Sequence, residues 1–333
     1  MIQVSIIIPM FNVEQYLKKC IDSVIDQNIE TNKFEVIMVD DESPDNSLSI
    51  ANKLANKHSF IKIISQKNLG LGGARNTGIK NSKGKYIVFL DADDCLLPNS
   101  LKELINVSDK NELDILEFGA NLIAENGDLI KVVKESSHSK VYNGIDYYNT
   151  INYSGSACNK IYSNEFLQKN NLFFLEKIYG EDFEFNTRAL YFTQKILAID
   201  KICAAFLQSS NSITRNNDRK KKDKYLNDYK VILGSLKKFW VDDRLNISNI
   251  ESVNNFFNER LTRINVNAFY MMFKNNYSYA EMLKYKNELM NNKIFYTSTS
   301  IKIRNKDLFR KIMIQNFFLF KISQLIKQLL KIN

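Results

Sequence analysis

The hydrophobic positions of the first 95 residues follow two alternating rhythms. Val4 to Pro9, Phe34 to Val39, Phe60 to Ser65 and Tyr86 to Leu90 are short, mainly apolar runs rich in β-branched and aromatic side chains. That is the pattern of strands buried on both faces. After the first run, Tyr16, Leu17, Cys20, Ile21, Val24 and Ile25 recur at helical spacing, and after the second Ile50, Leu54 and Ala55 do the same. Strand and helix alternate four times, which predicts an α/β fold with a doubly wound, mostly parallel sheet and right-handed crossovers. Asp114 to Gly119 and Gly155 to Tyr162 read as further strands. From residue 223 onward there is no proline and the spacing is helical, as in Tyr225, Tyr229, Ile232 and Leu236, or Phe256, Leu261, Ile264 and Ala268. A helical C-terminal region is expected.

Each of the first four strands is followed by a polar cluster: Pro9 to Asn12, Asp40 to Asp45, Asn68 to Arg75 and Asp91 to Asp94. Singly, each is ordinary turn or cap chemistry, and Ser43 or Asp45 can cap the next helix. Open α/β sheets, however, bind ligands beyond the carboxyl ends of their strands. Four clusters in register therefore point to one crevice. Asp91, Asp93 and Asp94 are too crowded to share a dry site without a cation, and their hard oxygens suit Mg²⁺ or Mn²⁺. The Gly70-Leu71-Gly72-Gly73 stretch meets neither phosphate-loop fingerprint: a dinucleotide motif needs glycine where Arg75 stands, and no Gly-Lys-Ser/Thr follows. Arg75 at a helix start still offers a contact for a diphosphate.

Composition narrows the class. At 44% hydrophobic and 12% aromatic residues the 333-residue chain is not disordered. Four scattered cysteines without a CxxC pair, and two histidines, suggest neither a disulfide framework nor a zinc site. The net charge of +9 is uneven, because residues 1–215 carry 23 Lys/Arg against 27 Asp/Glu and residues 216–333 carry 23 against 10, or −4 and +13. A basic half suits nucleic acid, an anionic membrane or a solvated face. The start of the chain has no basic, apolar leader, so a cytoplasmic location is expected.

Taken in order, Val-Ser-Ile-Ile-Ile-Pro-Met-Phe-Asn from residue 4, Val-Asp-Asp-Glu-Ser-Pro-Asp from 39, Asn-Leu-Gly-Leu-Gly-Gly-Ala-Arg-Asn-Thr-Gly from 68 and Phe-Leu-Asp-Ala-Asp-Asp from 89 resemble family 2 glycosyltransferases with the GT-A fold. The resemblance implies a catalytic domain over residues 1–220, with a nucleotide-sugar half at 1–95 and an acceptor half at 96–220, and a helical region over 221–333. It implies inverting transfer of a hexosyl-type sugar from a nucleotide diphosphate donor, usually UDP-linked, in surface polysaccharide synthesis. Donor contacts are implied at Pro9, Phe11, Asn12, Asp41, Asn68, Arg75, Asp91, Ala92 and Asp93. Asp91 and Asp93 form the Asp-x-Asp of the family, with Asp93 the expected ligand of Mn²⁺ or Mg²⁺ and Asp91 in support. The acceptor base is placed by the family at Glu-Asp, here Asp182, with Glu181 the runner-up; as plain first-turn acids both would merely favour the helix dipole. Lys160 is expected at the surface, with the cleft as its alternative, and Ser209 to Arg215 resembles a loop that closes over the donor, with Arg215 and Arg219 to Lys222 as further diphosphate contacts.

The processive members' Gln-x-x-Arg-Trp motif is absent, since the only tryptophan, Trp240, lies in Lys-Lys-Phe-Trp, and no apolar stretch approaches a membrane span. Addition of a single sugar is expected. A nucleotidyltransferase and a basic nucleic-acid-binding module are the competing readings, but neither its glycine-rich basic loop after the first strand nor a recognition motif is found. From Phe318, the residues Phe318, Leu319, Ile322, Leu325, Ile326, Leu329 and Leu330 share one helical face opposite Lys321, Gln324, Lys327, Gln328 and Lys331. Such a helix suits the inner face of a membrane, with packing on the core or on a second subunit as the alternative.

Overall fold

The computed structural model describes residues 1–151, 153, 155–209, 218–243 and 250–330. The chain forms two compact units, Met1–Asn216 and Asn217–Asn333.

The first unit begins with β1 (Val4–Met10), α1 (Leu17–Ile25), β2 (Phe34–Asp40), α2 (Ser47–Ala55), β3 (Ile61–Ser65), α3 (Gly70–Asn81) and β4 (Tyr86–Phe89). It continues through β5 (Cys95–Leu96), α4 (Ser100–Asn111), β6 (Ile115–Ile123), β7 (Leu129–Val133), α5 (Gly144–Thr150), β8 (Lys160–Ser163), α6 (Asn164–Lys169), α7 (Glu181–Phe192) and β9 (Ile196–Leu207). Among the described residues the strands form one sheet in the order β3-β2-β1-β4-β8-β6-β9-β5, with β7 on β6. The first four are mutually parallel. Every residue of β1, β2 and β4 is buried, as strands covered by helices on both faces must be. β3, at the sheet edge, is only partly buried. From β8 the direction reverses: β8 runs antiparallel to β4 and β6, and β9 is again parallel to β6.

Two expectations are corrected here. The glycine-rich stretch, read from the sequence as a loop opening a helix, already lies in the helix, because α3 starts at Gly70, whose φ of +76° suits glycine. Gly72 and Gly73 lie inside α3, and a Cβ on Gly72 would come 2.3 Å from the carbonyl oxygen of Leu175. The glycines let a helix and the 174–177 segment touch backbone to backbone. The strand expected from Gly155 is shorter: only Lys160–Ser163 pairs, and the residues before it form a bend whose carbonyls are bonded by side chains.

The second unit holds α8 (Arg219–Asp243), α9 (Ile250–Lys274), α10 (Tyr279–Asn291), α11 (Arg304–Phe309), a π-helical turn (Arg310–Ile314) and α12 (Phe318–Leu330). Its interior is aromatic. Trp240 stacks on Phe257 with ring centres 5.6 Å apart, and Phe269 meets Tyr285, Phe295 and Phe317 edge to face. Ser278 and Glu281 form a capping box on α10. Arg310 is buried and binds Asp307, the Thr297 and Ser298 carbonyls and Ser300. Arg219 is engaged within this unit by Asp223, Glu281 and the Tyr277 ring.

Candidate active site

Parallel register brings the carboxyl ends of β1, β2 and β4 to one edge of the sheet. Met10 lies beside Asp40, the Asp41 amide donates to the Met10 carbonyl, and the Leu90 amide donates to Ile7, so Asp91 emerges next to the end of β1. Two clusters form there.

The first is built on Asp41, which is buried. Its Oδ1 accepts from the Leu69 amide at 2.8 Å and Gln66 Nε2 at 2.7 Å, and its Oδ2 accepts from the Gly70 amide at 2.8 Å. It thus caps α3, and since a carboxylate has about four acceptor positions, little remains for a ligand. Asn68 donates to the Asp41 carbonyl at 3.0 Å. Pro9 is buried within β1, whereas Phe11 is 51% exposed and Asn12, with φ +57°, is exposed beside it. Of the residues after β1, Phe11 is the one free to meet a flat ring.

The second cluster is centred on Arg75, only 1% exposed. Its Nη1 donates to Glu181 Oε1 at 2.9 Å and Asp182 Oδ1 at 2.7 Å, while Nη2 donates to Asp91 Oδ1 at 2.8 Å. The guanidinium lies 5.2 Å from the centre of the Phe174 ring, and that ring stacks on Phe185 at 3.9 Å. The Nη donors of Arg75 face inward to three carboxylates and hold the ends of β4 and α7 together. The helix dipole alone does not account for Glu181 and Asp182, because both point into this knot.

The electrostatics follow from crowding. Burial, with Asp182 adding to it and Arg75 opposing, pushes Glu181 up to about 7. Asp94 is nearly dry, and its burial together with Asp91 and Asp93 raises it well above the ordinary carboxylate range even though it accepts from the Leu207 amide at 2.8 Å. Asp182 is less enclosed, its side chain 25% exposed against 9% for Glu181. Asp91 is 32% exposed and Ala92 is buried between the two acids. Asp93 lines a cavity of about 360 Å³ with Gln15, Tyr16, Lys19, Glu125 and Leu207. Asp91, Asp93 and Asp182, with Asp94 and Glu181 held partly neutral beside them, still outnumber the cations Arg75 and Lys19, and a divalent cation would relieve that surplus, so the residues fit such an ion. Among the described residues no three ligating side chains make a complete cage. A cation here would complete its shell with oxygens brought by a ligand, as Mg²⁺-type sites commonly do.

Lys160, expected at the surface, is wholly buried beneath this cluster, against Glu117 of β6. Residue type alone could not reveal that. Asn186, one turn after Asp182, and the Ala157 amide, which donates to Asp182 Oδ2 at 2.9 Å, were also beyond sequence reasoning. Residues 210–215, including Arg215, lie outside the described residues.

The sheet, with Asp91 and Asp93 following β4 and Glu181 and Asp182 opening α7, has the GT-A fold. Residues 5–170 match the family model for glycosyl transferase family 2, and the chain belongs to that family. It is 31% identical to the uncharacterized glycosyltransferase EpsJ of Bacillus subtilis over 63% of this chain and 62% of that one. It is 37% identical to the poly(ribitol-phosphate) beta-glucosyltransferase of Bacillus spizizenii over 34% of this chain and 18% of that one. The chain thus spans less than two thirds of the length of these relatives. S. aureus TarS residues 1–349, solved in complex with UDP-GlcNAc, shares the fold with a TM-score of 0.69 at 23% identity, covering 86% of this chain and 80% of that one. Membership of this family favours the glycosyltransferase reading over the nucleotidyltransferase one.

Proposed function

We propose that the chain moves one sugar, with inversion, from a UDP-sugar to a hydroxyl of a glycan or lipid-linked acceptor in surface polysaccharide synthesis. The observation that carries this is the knot on Arg75, which sets the Asp-x-Asp beside a pair of α7 acids at the ligand-binding edge of the sheet. The UDP-GlcNAc held by TarS and the poly(ribitol-phosphate) substrate of the B. spizizenii relative support the donor and acceptor classes.

Asp182 takes the proton from the acceptor hydroxyl as that oxygen attacks the anomeric carbon. It is the better candidate because it reaches solvent, whereas Glu181 is buried and half-protonated near neutral pH. Phe11 flanks the base of the nucleotide, while Asp41 and Asn68 shape the turn beneath it. Asp93, supported by Asp91, would hold Mn²⁺ or Mg²⁺. When bound, that ion neutralises charge developing on the departing diphosphate.

In the C-terminal unit, Leu308, Ile312, Phe318, Ile322, Leu325 and Ile326 are exposed, with Lys311 and Lys321 also open to solvent. An anionic membrane surface is the partner that fits. Residues 217–333 carry 23 Lys/Arg against 10 Asp/Glu, a charge that draws anionic lipid and repels a second copy. No described helix is long and apolar enough to cross a membrane; the association proposed is peripheral, on the inner face of the cell membrane.

The test is a divalent-metal-supplemented hydrolysis screen over a panel of nucleotide sugars, with Asp93→Ala alongside. One UDP-sugar is expected to turn over, and the variant to lose roughly 100-fold or more in rate. Full activity in Asp93→Ala would remove the metal assignment, and a panel with no UDP-sugar consumed would remove the donor class.

A further inference from the structure

Lys160 is among the largest fully buried side chains of the molecule, and it lies outside the acid knot. Its Nζ donates to the Ser156 carbonyl at 2.6 Å and to Asn159 Oδ1 at 2.9 Å, sits 3.4 Å from Glu117 Oε2 and lies 4.6 Å from the centre of the Tyr153 ring. A buried ion pair of this kind adds little to stability compared with an apolar pair of similar volume. What the lysine touches is more informative. The Ser156 carbonyl and the Ala157 N–H are the two ends of one planar peptide group. The ammonium grips its oxygen end, and its hydrogen end donates to Asp182 Oδ2 at 2.9 Å. The neighbouring Gly155 carbonyl accepts from Asn186 Nδ2 at 2.9 Å, and Asn186 Oδ1 accepts from the Tyr162 hydroxyl at 2.9 Å.

We propose that Lys160 is a positioning residue for Asp182, acting through the Ser156–Ala157 peptide; the inference rests on Asp182 being the acceptor base. A cation at the carbonyl end polarises the peptide and strengthens its N–H as a donor. It also fixes the plane of that peptide, so the donor cannot swing away. Arg75 Nη1 holds Asp182 Oδ1 from the other side. Each carboxylate oxygen is therefore fixed by one rigid donor, while the side chain stays 25% exposed to an arriving acceptor hydroxyl. Glu117 neutralises the lysine from the β6 side.

The peptide link predicts a loss in kcat, because a loosened base spends less time in attacking geometry, while donor affinity is untouched. Lys160→Met alone would orphan Glu117 and endanger folding, so the deciding variant is Glu117→Gln/Lys160→Met, which removes both charges at nearly constant volume. Its kcat for sugar transfer should fall roughly 10- to 100-fold, with donor KM within about twofold and the thermal midpoint near the parental one. Glu117→Gln alone, which leaves the lysine on Ser156, should keep kcat within about threefold. Parental kcat in the double variant would overturn the proposal. So would an equal loss in Glu117→Gln, or a change confined to donor KM. Asp182→Asn is measured in parallel: if it transfers sugar normally, the base assignment has failed, whereas an inactive Asp182→Asn beside a fully active double variant refutes the role of Lys160 alone.

Discussion

Glu181 shows how a single buried acid sets a pH response. Its folded pKa, about 7, lies above the value of 4.5 for a free glutamate. Between those two values the native state holds a proton that the unfolded chain has released, so unfolding free energy falls as pH rises through this window. The penalty is fully developed above pH 7 and absent below about 4.5, with a size on the order of 3 kcal/mol if no other group compensates. Glu181→Gln should therefore be more stable than the parent at pH 8 and nearly equal to it at pH 4.5, as thermal unfolding over that range will show. A constant difference across the range would contradict the assigned burial. Glu181 and Asp182 were both legible in the sequence as a pair, but which one is enclosed is decided by Arg75, Asp91 and the 155–158 bend. Those contacts join residues up to 107 positions apart. For the same reason sequence spacing placed Lys160 outside.

At the scale of elements, β1 to β4 and the helices between them were readable because their apolar runs are local signals of double-sided burial. The reversal at β8 was not, since Lys160–Ser163 is four residues long and carries a lysine. The glycines of α3 looked like loop chemistry, yet their function is close approach. Adding a methyl to Gly72 puts carbon 2.3 Å from the Leu175 oxygen and 3.0 Å from Phe174 Cβ. Either α3 or the 174–176 segment must retreat, which breaks the pair of bonds between Asn76 and the Phe174 backbone, at 2.7 and 2.9 Å. Gly72→Ala should destabilise the protein by about 1–3 kcal/mol and lower transfer more than stability alone explains, since Arg75 lies one turn further along the same helix. An unchanged melting midpoint in calorimetry would show that the seat is not tight.

For the molecule as a whole, the charge asymmetry was visible in composition, whereas the separation of the apolar C-terminal face into packed and open residues was not. Phe317 and Phe320 are buried, and Phe318, Leu325 and Ile326 are about half exposed. Truncating at residue 306 would therefore remove core aromatics and Arg310 with the surface. Leu325→Glu with Ile326→Glu is the cleaner variant: it should lose pelleting with vesicles of anionic phospholipid and keep both its melting midpoint and donor hydrolysis. Undiminished pelleting would exclude this face as the membrane contact. The Arg75 knot also has a bearing on how the chain is made. A ribosome releases the first four strands well before residues 181 and 182, so the growing polypeptide holds a guanidinium with one of its three anionic partners and an unfinished seat. Completion of the knot is thus a late event of biosynthesis, because α7 follows β1 to β4 in the chain and β9, which pairs with β6 and β5, follows α7.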